Sequence, residues 1–385
     1  MNILHICISE RYVEGDSYHE NILPTKHQKM GHKVTVIASQ DYFDGRTKSM
    51  KHRGTADYYN KDGIHVIILS SSKKNILSRL LSKSVEGLYG AITRVGPDII
   101  FVHGVKSPDN KAVAKYVKNN PQVHLFADNH NDYRVTPLRK GFIPWLSRLI
   151  AARNARLLLP VAIRFWGTLP LRAEYLNMVF KIPKNKIGVL IMGGDDDIIR
   201  SINKERNKKL IRNQYGIPED AFLIVTGGVF DKRKQQNLLM EAVKQTDNEK
   251  VWLLAFGEPA KEMENVFLPF KSENRIKMTG WLPSDKAYEL FMASDLAFFP
   301  GWHSVLWEQA VACGLPIVVK YWEGVDHVSF NGNAVLMKQV NVETIKKEIE
   351  GLCFTTRYNK MLKAAKEAAP YFYMGHIANK AIGIE

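Results

Sequence analysis

The sequence has few cysteines and no long apolar run, and both absences narrow the class of protein. Its three cysteines, Cys7, Cys313 and Cys353, are far apart, odd in number and form no CxxC pair. This usage indicates a reducing compartment and argues against structural disulfides or a cysteine-ligated zinc site. No stretch approaches the roughly 18 apolar residues that a transmembrane helix needs, and no basic region precedes the apolar start as in a signal peptide. We therefore expect a cytoplasmic protein.

Acidic residues are outnumbered by basic ones, 39 to 54, which gives a formal net charge of +15. A surplus of this size favours polyanionic partners, namely phosphates, acidic membrane surfaces or nucleic acid. No helix-turn-helix, zinc-binding or RNP-like signature accompanies the charge, so we expect no nucleic-acid partner. The chain of 385 residues, 45% of them apolar, is long enough for two domains that each bury a core.

Short β-rich runs alternate with amphipathic helical segments along most of the chain. This alternation predicts βαβ units with parallel sheets, and it occurs in two series. The predicted strands are 2–8, 33–38, 64–69, 98–102, 123–127, 222–226, 251–256, 275–278, 296–299 and 316–319. The predicted helices include 18–30, 78–95, 110–119, 234–243, 285–292 and 305–313.

The two series predict an α/β fold of two Rossmann-like domains. We place the first domain at residues 1–190 and the second at 191–365. Residues 366–385 are expected to form a C-terminal helix that packs back on the N-terminal domain. The polar, glycine-containing run 192–197 (MGGDDD) is interpreted as a flexible linker between the domains.

The most informative segment is 298–320, FFPGWHSVLWEQAVACGLPIVVK. A predicted strand ends at Phe299, and a turn with Pro300 and Gly301 leads into a predicted helix that opens near Ser304 and Val305. The N-terminus of such a helix offers free N–H groups and a positive dipole end to a diphosphate. Glu308, one turn further, is placed to accept hydrogen bonds from ribose hydroxyls. An ordinary βαβ unit with a surface glutamate would show the same pattern.

A second segment, 226–239 (TGGVFDKRKQQNLL), also joins a strand to an apolar helix. Its strand ends at Gly227 and Gly228, and Arg233 and Lys234 directly precede the helix. Cations at this position can neutralise a departing pyrophosphate. The alternative is a solvated basic turn.

The N-terminal half has two polar loops after predicted strands. The first, 9–21 (SERYVEGDSYHEN), contains Gly15, where the backbone can approach a ligand closely, and then Tyr18 and His19 at the start of a helix. The second, 127–132 (ADNHND), places His130 between Asp128 and Asp132 at the carboxyl end of the sheet, where open α/β sheets bind ligands. A histidine flanked by carboxylates can orient a sugar hydroxyl or polarise an acceptor. Plain connecting loops, and for His103 after strand 98–102 a structural role, are the alternatives; one histidine and two aspartates are too little to predict a metal site.

No acidic residue occurs from Tyr133 to Ala173, whereas eight basic residues do. A basic segment interleaved with apolar and aromatic residues can rest on an anionic membrane. A helix that packs its apolar face on the sheet and exposes its basic face is the compatible alternative. The basic residues of this region are Arg134, Arg139, Lys140, Arg148, Arg153, Arg156, Arg164 and Arg172.

Three of these segments together resemble the GT-B glycosyltransferases, in particular the retaining enzymes of glycosyltransferase family 4 that act in bacterial polysaccharide synthesis. They are the N-terminal glycine loop with its helix leading to GHKVTVIAS, the GG…KRK turn, and WEQAVACGLPIVV. The resemblance covers nearly the whole chain. It implies transfer of a sugar from a nucleotide-sugar, UDP- or GDP-linked, to a glycan or lipid-linked acceptor at the inner face of the cell membrane. It also implies that the two domains face each other across a cleft, with residues 1–190 as the acceptor-side domain and 191–365 as the nucleotide-sugar-binding domain. No cofactor or metal is expected.

The resemblance also implies roles for individual residues. Glu308 matches the second glutamate of the family's E-x7-E motif, at the donor ribose, and Lys234 matches the lysine that contacts the donor diphosphate. Gly15 matches the glycine loop near the phosphates, and His130 matches more loosely the histidine that lines the transferred sugar. Trp281 falls where the family holds the nucleotide base. The predicted catalytic residues are His130, Lys234 and Glu308, the predicted donor site is Gly15, Gly228, Arg233, Lys234, Trp281, His303, Ser304, Val305 and Glu308, and the predicted acceptor side is Tyr18, His19, Asp128 and Asp132.

The sequence departs from the family pattern at two positions. Pro300 stands eight residues before Glu308, where the family has the first glutamate of its motif, and His303 and Ser304 occupy this loop. Val229 also replaces an arginine, whose charge Lys232 or Arg233 can supply. The missing acid leaves open a second hypothesis, a non-catalytic GT-B scaffold that partners an active transferase.

Overall fold

A computed structural model describes residues 1–15, 18–44, 49–72, 83–133 and 141–384. The chain forms two compact units. Unit 1 comprises Met1–Ile191 together with Ala378–Glu385, and unit 2 comprises Met192–Ile377.

Unit 1 is built on an eight-stranded sheet in the order β10-β9-β8-β7-β1-β2-β6-β5. All neighbouring strands pair in parallel except β5 and β6, and β3 and β4 form a separate antiparallel hairpin. The central strands are runs of buried valine, isoleucine and phenylalanine because helices cover both faces of a parallel sheet. The strands are β1 (Asn2–Cys7), β2 (Lys33–Ser39), β3 (Asp41–Asp44), β4 (Ser49–His52), β5 (Ala56–Tyr59), β6 (His65–Leu69), β7 (Ile99–Val102), β8 (His124–Asn129), β9 (Arg164–Gly167) and β10 (Ile187–Val189).

The helices of unit 1 connect these strands. They are α1 (His19–Lys29), α2 (Leu88–Val95), α3 (Asn110–Asn119), α4 (Phe142–Arg156) and α5 (Pro170–Met178). Helix α1 continues through Pro24 and is followed by Gly31, at φ +86°. The helix predicted over 78–95 is shorter than expected: positions 78–82 lie outside the described residues, and α2 begins only at Leu88. Gly87 precedes it with φ +75°, and Val85 pairs with Ser71 in a β-bridge, so this stretch is extended.

Unit 2 contains a six-stranded, fully parallel sheet in the order β13-β12-β11-β14-β15-β16. Its strands are β11 (Phe222–Gly227), β12 (Val251–Phe256), β13 (Ile276–Met278), β14 (Leu296–Phe299), β15 (Ile317–Lys320) and β16 (Ala334–Met337). Its helices are α6 (Asp196–Ser201), α7 (Lys204–Tyr215), α8 (Gln236–Gln245), α9 (Glu264–Phe267), α10 (Ser284–Ala293), α11 (Leu306–Ala312), α12 (Val342–Leu352) and α13 (Thr356–Ala368). A last helix, α14 (Met374–Ala381), contains the division between the units.

The run 192–197 is not the flexible linker that its composition predicted. Gly194 donates to the Phe372 carbonyl and accepts from the Met374 N–H, both at 2.9 Å. A Cβ on Gly193 or Gly194 would overlap neighbouring atoms, so the glycines here allow close packing. Asp196 is buried and accepts from the Gly375 N–H at 2.9 Å. The segment is therefore a fixed part of unit 2.

The topology brings the polar loops of each unit together. In unit 1, β1, β7 and β8 are adjacent, so the residues at their carboxyl ends share one edge of the sheet. In unit 2 the same holds for β11, β14 and β15. These carboxyl edges are where open α/β sheets bind ligands. Among the described residues, no helix is both long and apolar enough to cross a membrane.

Candidate functional site

Glu308 is the fully buried centre of a polar cluster in unit 2. It lies in the first turn of α11, and its Oε1 accepts hydrogen bonds from Nε2 of His303 and from Nε2 of His327, each at 2.8 Å. Burial alone would raise the pKa of this carboxyl, but the two histidines outweigh it and hold the pKa of Glu308 well below its ordinary 4.5. Its Oε2 is buried and has no hydrogen-bond partner among the described residues. The carboxylate is thus ionised, fixed in place, and left with one oxygen for a ligand hydroxyl.

Lys234 lies beside this cluster, between β11 and α8. Its Nζ donates to the carbonyl oxygens of Trp302, at 2.9 Å, and His303, at 2.8 Å, which leaves one N–H of the ammonium. Burial lowers the pKa of Lys234 to about 8, although the charges of Asp231 and Glu308 oppose this shift. The ammonium is therefore charged at neutral pH and poorly hydrated, a state that favours a direct contact with a phosphate oxygen.

Glycines bring the surrounding loops into contact. A Cβ on Gly301 would overlap the backbone of Arg233 and Lys234, and a Cβ on Gly257, at φ +114°, would overlap the Gly228 carbonyl. Gly257 also donates to the Gly280 carbonyl at 2.7 Å. The loops after β11, β12 and β14 are therefore packed backbone to backbone, so the glycines in these sequence motifs are a structural requirement.

The other predicted donor residues lie in the same loops with different exposure. Arg233 pairs with Asp231 at 2.6 Å and its guanidinium lies 5.4 Å from the Trp302 ring centroid. Trp281 is 49% exposed and follows Gly280. Helix α11 begins at Leu306 rather than near Ser304, so Ser304 and Val305 precede it, and Val305 is its N-cap. Gly228, at φ +103°, follows β11.

Unit 1 contains a second buried carboxylate with histidine neighbours. Oδ2 of Asp128, at the end of β8, lies 3.1 Å from Nδ1 of His103 and 3.1 Å from Nε2 of His130, and Oδ1 accepts from the Gly104 N–H at 2.8 Å. Burial would raise the pKa of Asp128, but His130 and His103 hold it well below 3.8. The pKa of His130 rises to about 9 because Asp128 and Glu20 outweigh the opposing effect of burial. His130 is therefore a cation at neutral pH.

The other residues predicted for the site in the N-terminal half differ in exposure and in contacts. His19 is buried, and its ring centroid lies 6.0 Å from that of His130, whereas Tyr18 is largely exposed. Asp132 accepts from Arg172 Nε at 3.2 Å, which occupies it in an ion pair. Gly15 adopts φ +85°, a conformation that favours glycine.

Two groups at these sites also satisfy the spacing of metal ligands, with donor atoms within 4.8 Å: His19, Asp128 and His130, and His303, Glu308 and His327. In the second, hydrogen bonds from both histidines to one carboxylate oxygen account for the arrangement without an ion. The absence of a metal requirement stays a prediction.

Sequence reasoning missed His327 in unit 2 and the buried histidines His5 and His27 in unit 1. His327 lies in an irregular loop after β15, 19 residues from Glu308, and belongs to no motif. His5 lies inside β1, where its apolar neighbours indicate only a core strand. The one available signal was composition, since the chain has 12 histidines and several follow strand ends.

Comparisons with known proteins bear on both units. Residues 207–369, within unit 2, match the family described as "Glycosyl transferases group 1". The lipopolysaccharide core biosynthesis glycosyltransferase LpsD of Rhizobium meliloti (strain 1021) is 27% identical over 147 residues, 37% of this chain. The chain spans less than half of that relative, 42% of its length.

Solved structures extend the similarity to both units. The Anabaena protein HepE in complex with UDP and glucose has a TM-score of 0.65 and 16% identity, with 100% of this chain and 98% of that chain covered. WaaG, a glycosyltransferase involved in lipopolysaccharide biosynthesis, has a TM-score of 0.66 and 14% identity, with 99% of each chain covered. These likenesses confirm the predicted GT-B fold.

Proposed function

We propose that this protein is a glycosyltransferase that moves a sugar from a UDP- or GDP-linked donor, with retention of anomeric configuration, to a glycan or lipid-linked acceptor in surface polysaccharide synthesis. The observation that carries the proposal is that Glu308 and Lys234 lie in neighbouring loops of the segment that matches the group 1 family. A buried carboxylate with one unpaired oxygen suits ribose hydroxyls, and a half-buried ammonium with one N–H left suits a diphosphate.

Lys234 and Arg233 would stabilise the departing nucleoside diphosphate, because fixed charge at the place where charge develops is usually the largest catalytic contribution. His130 would line the transferred sugar, and its raised pKa makes it a cation or a proton donor there. The names of the relatives support the wider role: LpsD and WaaG are named for lipopolysaccharide synthesis, and HepE holds UDP and glucose.

The proposal is tested by a screen of nucleotide-sugars against the purified full chain. A ligand at 100 times its Kd that binds only the native state adds about 2.7 kcal/mol of stability, a clear thermal shift. We expect UDP- or GDP-linked sugars to stabilise the chain, and an acceptor to release the nucleoside diphosphate. Proton NMR of the product would show the donor's anomeric configuration retained. No shift with any nucleotide would contradict the donor site.

Pro300 favours one alternative, a non-catalytic scaffold. It stands in place of an acid expected near the donor sugar, and it is buried at the end of β14. A chain that neither hydrolyses nor transfers any nucleotide-sugar, and that copurifies with an active transferase, would favour the scaffold.

We also propose that α4 lets the protein contact an anionic membrane. Of the eight basic residues in 134–172, Arg134, Arg139 and Lys140 lie outside the described residues. On α4, Phe142, Trp145 and Leu149 are 72%, 49% and 46% exposed, and Arg153 and Arg156 continue the same helical face. Exposed aromatic residues next to arginines are typical of helices that lie in a membrane interface.

Vesicle sedimentation tests this contact. The full chain should bind vesicles that contain anionic lipid, and the double variant Phe142→Ala, Trp145→Ala should bind at least several-fold less. Leu268→Ala, which removes an equally exposed apolar side chain from unit 2, is the matched control and should bind as the wild type does. Equal binding by all three proteins would contradict the proposal.

A further inference from the structure

The interior of unit 1 contains a continuous chain of hydrogen bonds through three histidines. Asp128 Oδ2 faces His103 Nδ1 at 3.1 Å, His103 Nε2 faces His5 Nδ1 at 2.9 Å, and His5 Nε2 faces His27 Nδ1 at 3.0 Å. His27 Nε2 then faces the Ala378 carbonyl oxygen, in α14, at 2.9 Å. All three imidazoles and Asp128 are fully buried, so water does not complete any of these contacts.

The ends of this chain determine how many protons it needs. A carboxylate accepts at one end and a carbonyl accepts at the other, so each of the four contacts needs an N–H from an imidazole. A neutral imidazole carries one N–H, and three of them supply three. Working back from Ala378, His27, His5 and His103 must each carry the proton on Nε2. His103 Nδ1 then needs a second proton, because otherwise two acceptors would face each other at the Asp128 contact.

We propose that this histidine chain holds one proton more than three neutral imidazoles carry, as the imidazolium of His103 beside the Asp128 carboxylate. We propose further that the extra proton is taken up when α14 presents the Ala378 carbonyl. Without that acceptor, each of the three neutral imidazoles can carry its proton on Nδ1 in place of Nε2. His103 then donates to Asp128, His5 to His103 and His27 to His5, so three protons complete the three remaining contacts. Attachment of the C-terminal segment in unit 1 is therefore linked to the binding of one proton, and it weakens when that proton is lost at high pH.

Electrostatics agree with the placement of the charge. Burial lowers the pKa of His5 well below 6.5 and that of His27 to about 4, so both are neutral at pH 7. His130 and His103 lower the pKa of Asp128, so Asp128 is the carboxylate acceptor that the proton count assumes. Five other titratable groups surround the histidine chain. Cys7 ends β1 and Glu10 follows that strand, Glu20 lies in α1, and His130 contacts Asp128. The fifth is His32, whose ring centroid lies 6.1 Å from that of His27.

The extra proton also changes the charge around Asp128 and His130 at the carboxyl edge of the sheet. The carboxylate of Asp128 faces both His103 and His130. If His103 is an imidazolium, it balances the charge of Asp128 within the core. The positive charge of His130 is then available to an anionic ligand. The histidine chain thus acts as a positioning device for Asp128 and His130, independently of which sugar the enzyme transfers.

The first test is NMR of the full chain labelled with ¹⁵N-histidine at pH 7, since ring nitrogen shifts separate imidazolium from each neutral tautomer. His103→Gln and His27→Gln assign the buried signals. We expect both nitrogens of His103 to be protonated, and only Nε2 of His5 and His27. Three neutral rings would overturn the proposal.

A matched pair of variants tests the link to Ala378. In His27→Gln, the side-chain amide can donate to the carbonyl while its oxygen accepts from His5, so His103 should remain an imidazolium. In His27→Phe the link is broken, so His103 should become neutral with its proton on Nδ1. A His27→Phe protein that keeps the imidazolium, or a His27→Gln protein that loses it, would refute the link.

Asp128→Asn keeps the question answerable if His27→Phe does not fold. Asparagine can accept from the Gly104 N–H and donate from its amide to His103 Nδ1, so the fourth proton is no longer needed. His103 should then be neutral with its proton on Nε2, while the signals of His5 and His27 stay in place. An imidazolium that persists in this variant would contradict the proton count.

Discussion

The ammonium group of Lys234 offers a quantitative test of the donor site. Its pKa of about 8 means that about nine tenths of the molecules carry the charge at pH 7 and about one tenth at pH 9. If only the charged form binds the diphosphate, the apparent Kd for UDP or GDP rises about tenfold over this range. Lys234→Met keeps most of the length of the side chain but removes the charge. One charge-assisted hydrogen bond contributes about 1.5–3 kcal/mol, so affinity at pH 7 should fall roughly 10- to 150-fold.

Stability separates this loss of binding from unfolding. A lysine whose pKa is lowered from 10.5 to about 8 destabilises the fold at pH 7 by about 3 kcal/mol, and this cost disappears as the pH rises past 10.5. Lys234→Met removes that cost but also two hydrogen bonds to carbonyl oxygens, which cost about 1–3 kcal/mol. The two effects nearly cancel, so Tm should change little.

Calorimetric titration with UDP and GDP at pH 7 and pH 9 measures both effects. Lys250→Met, which changes an exposed lysine directly before β12, at the opposite end of the sheet from these loops, is the control and should retain the affinity and its pH dependence. If Lys234→Met bound nucleotide as the wild type does, or kept the tenfold pH dependence, Lys234 would not contact the diphosphate.

Three further predictions follow from the same loops. Glu308→Gln should weaken nucleotide binding at least tenfold in the same titration. Because the pKa of Glu308 is lowered in the folded state, this carboxylate stabilises the fold above pH 4.5, and the stabilisation is lost as the pH falls. The free energy of unfolding in urea should therefore depend less on acid pH in this variant than in the wild type. His327→Ala leaves Glu308 with one histidine donor and should lower nucleotide affinity about tenfold and reduce Tm; unchanged binding would remove His327 from the site. Gly257→Ala should lower the free energy of unfolding by more than about 2 kcal/mol, because its Cβ overlaps Gly228, whereas Gly280→Ala, at φ +76° with open space, should cost about 1–2 kcal/mol; equal costs would show that the loop relaxes.

The sequence predicted the central strands of both sheets because strands buried on two faces are continuous apolar runs. It missed β3, β4 and β5, whose sequences DYFD, SMKH and ADYY are polar and half exposed, so no alternation marks them. It also missed β9 and β16, which have four residues each, as do the predicted strands β7, β14 and β15; a run this short establishes no period, so its detection depends on the neighbouring residues. The error at 192–197 has another cause: glycine and aspartate are typical of linkers, but the contacts that fix the segment come from residues near 372, which no local pattern reveals.

In the candidate sites as well, local sequence patterns predicted some residues and missed others. Glu308 and Lys234 were found because each lies at a fixed offset from a strand end and a glycine turn. The partners that hold Glu308 were only partly found, since His303 is in the motif and His327 is not. The contact between His5 and His103 joins residues 98 positions apart, and the one between His27 and Ala378 joins residues 351 apart. Such contacts depend on the order of the strands, which alternation alone does not specify.

In both units, histidine side chains contact a buried carboxylate. Asp128 and Glu308 are fully buried, and a buried carboxylate without partners would destabilise the fold by several kcal/mol. Arginine would stabilise it with a permanent positive charge, whereas histidine donates a hydrogen bond in its neutral form and adds charge only when it takes up a second proton. Two histidines therefore hold each carboxylate in place while the net charge around it remains adjustable. Under the proposed function this property matters, because the nucleoside diphosphate that leaves carries more negative charge than the nucleotide-sugar that binds.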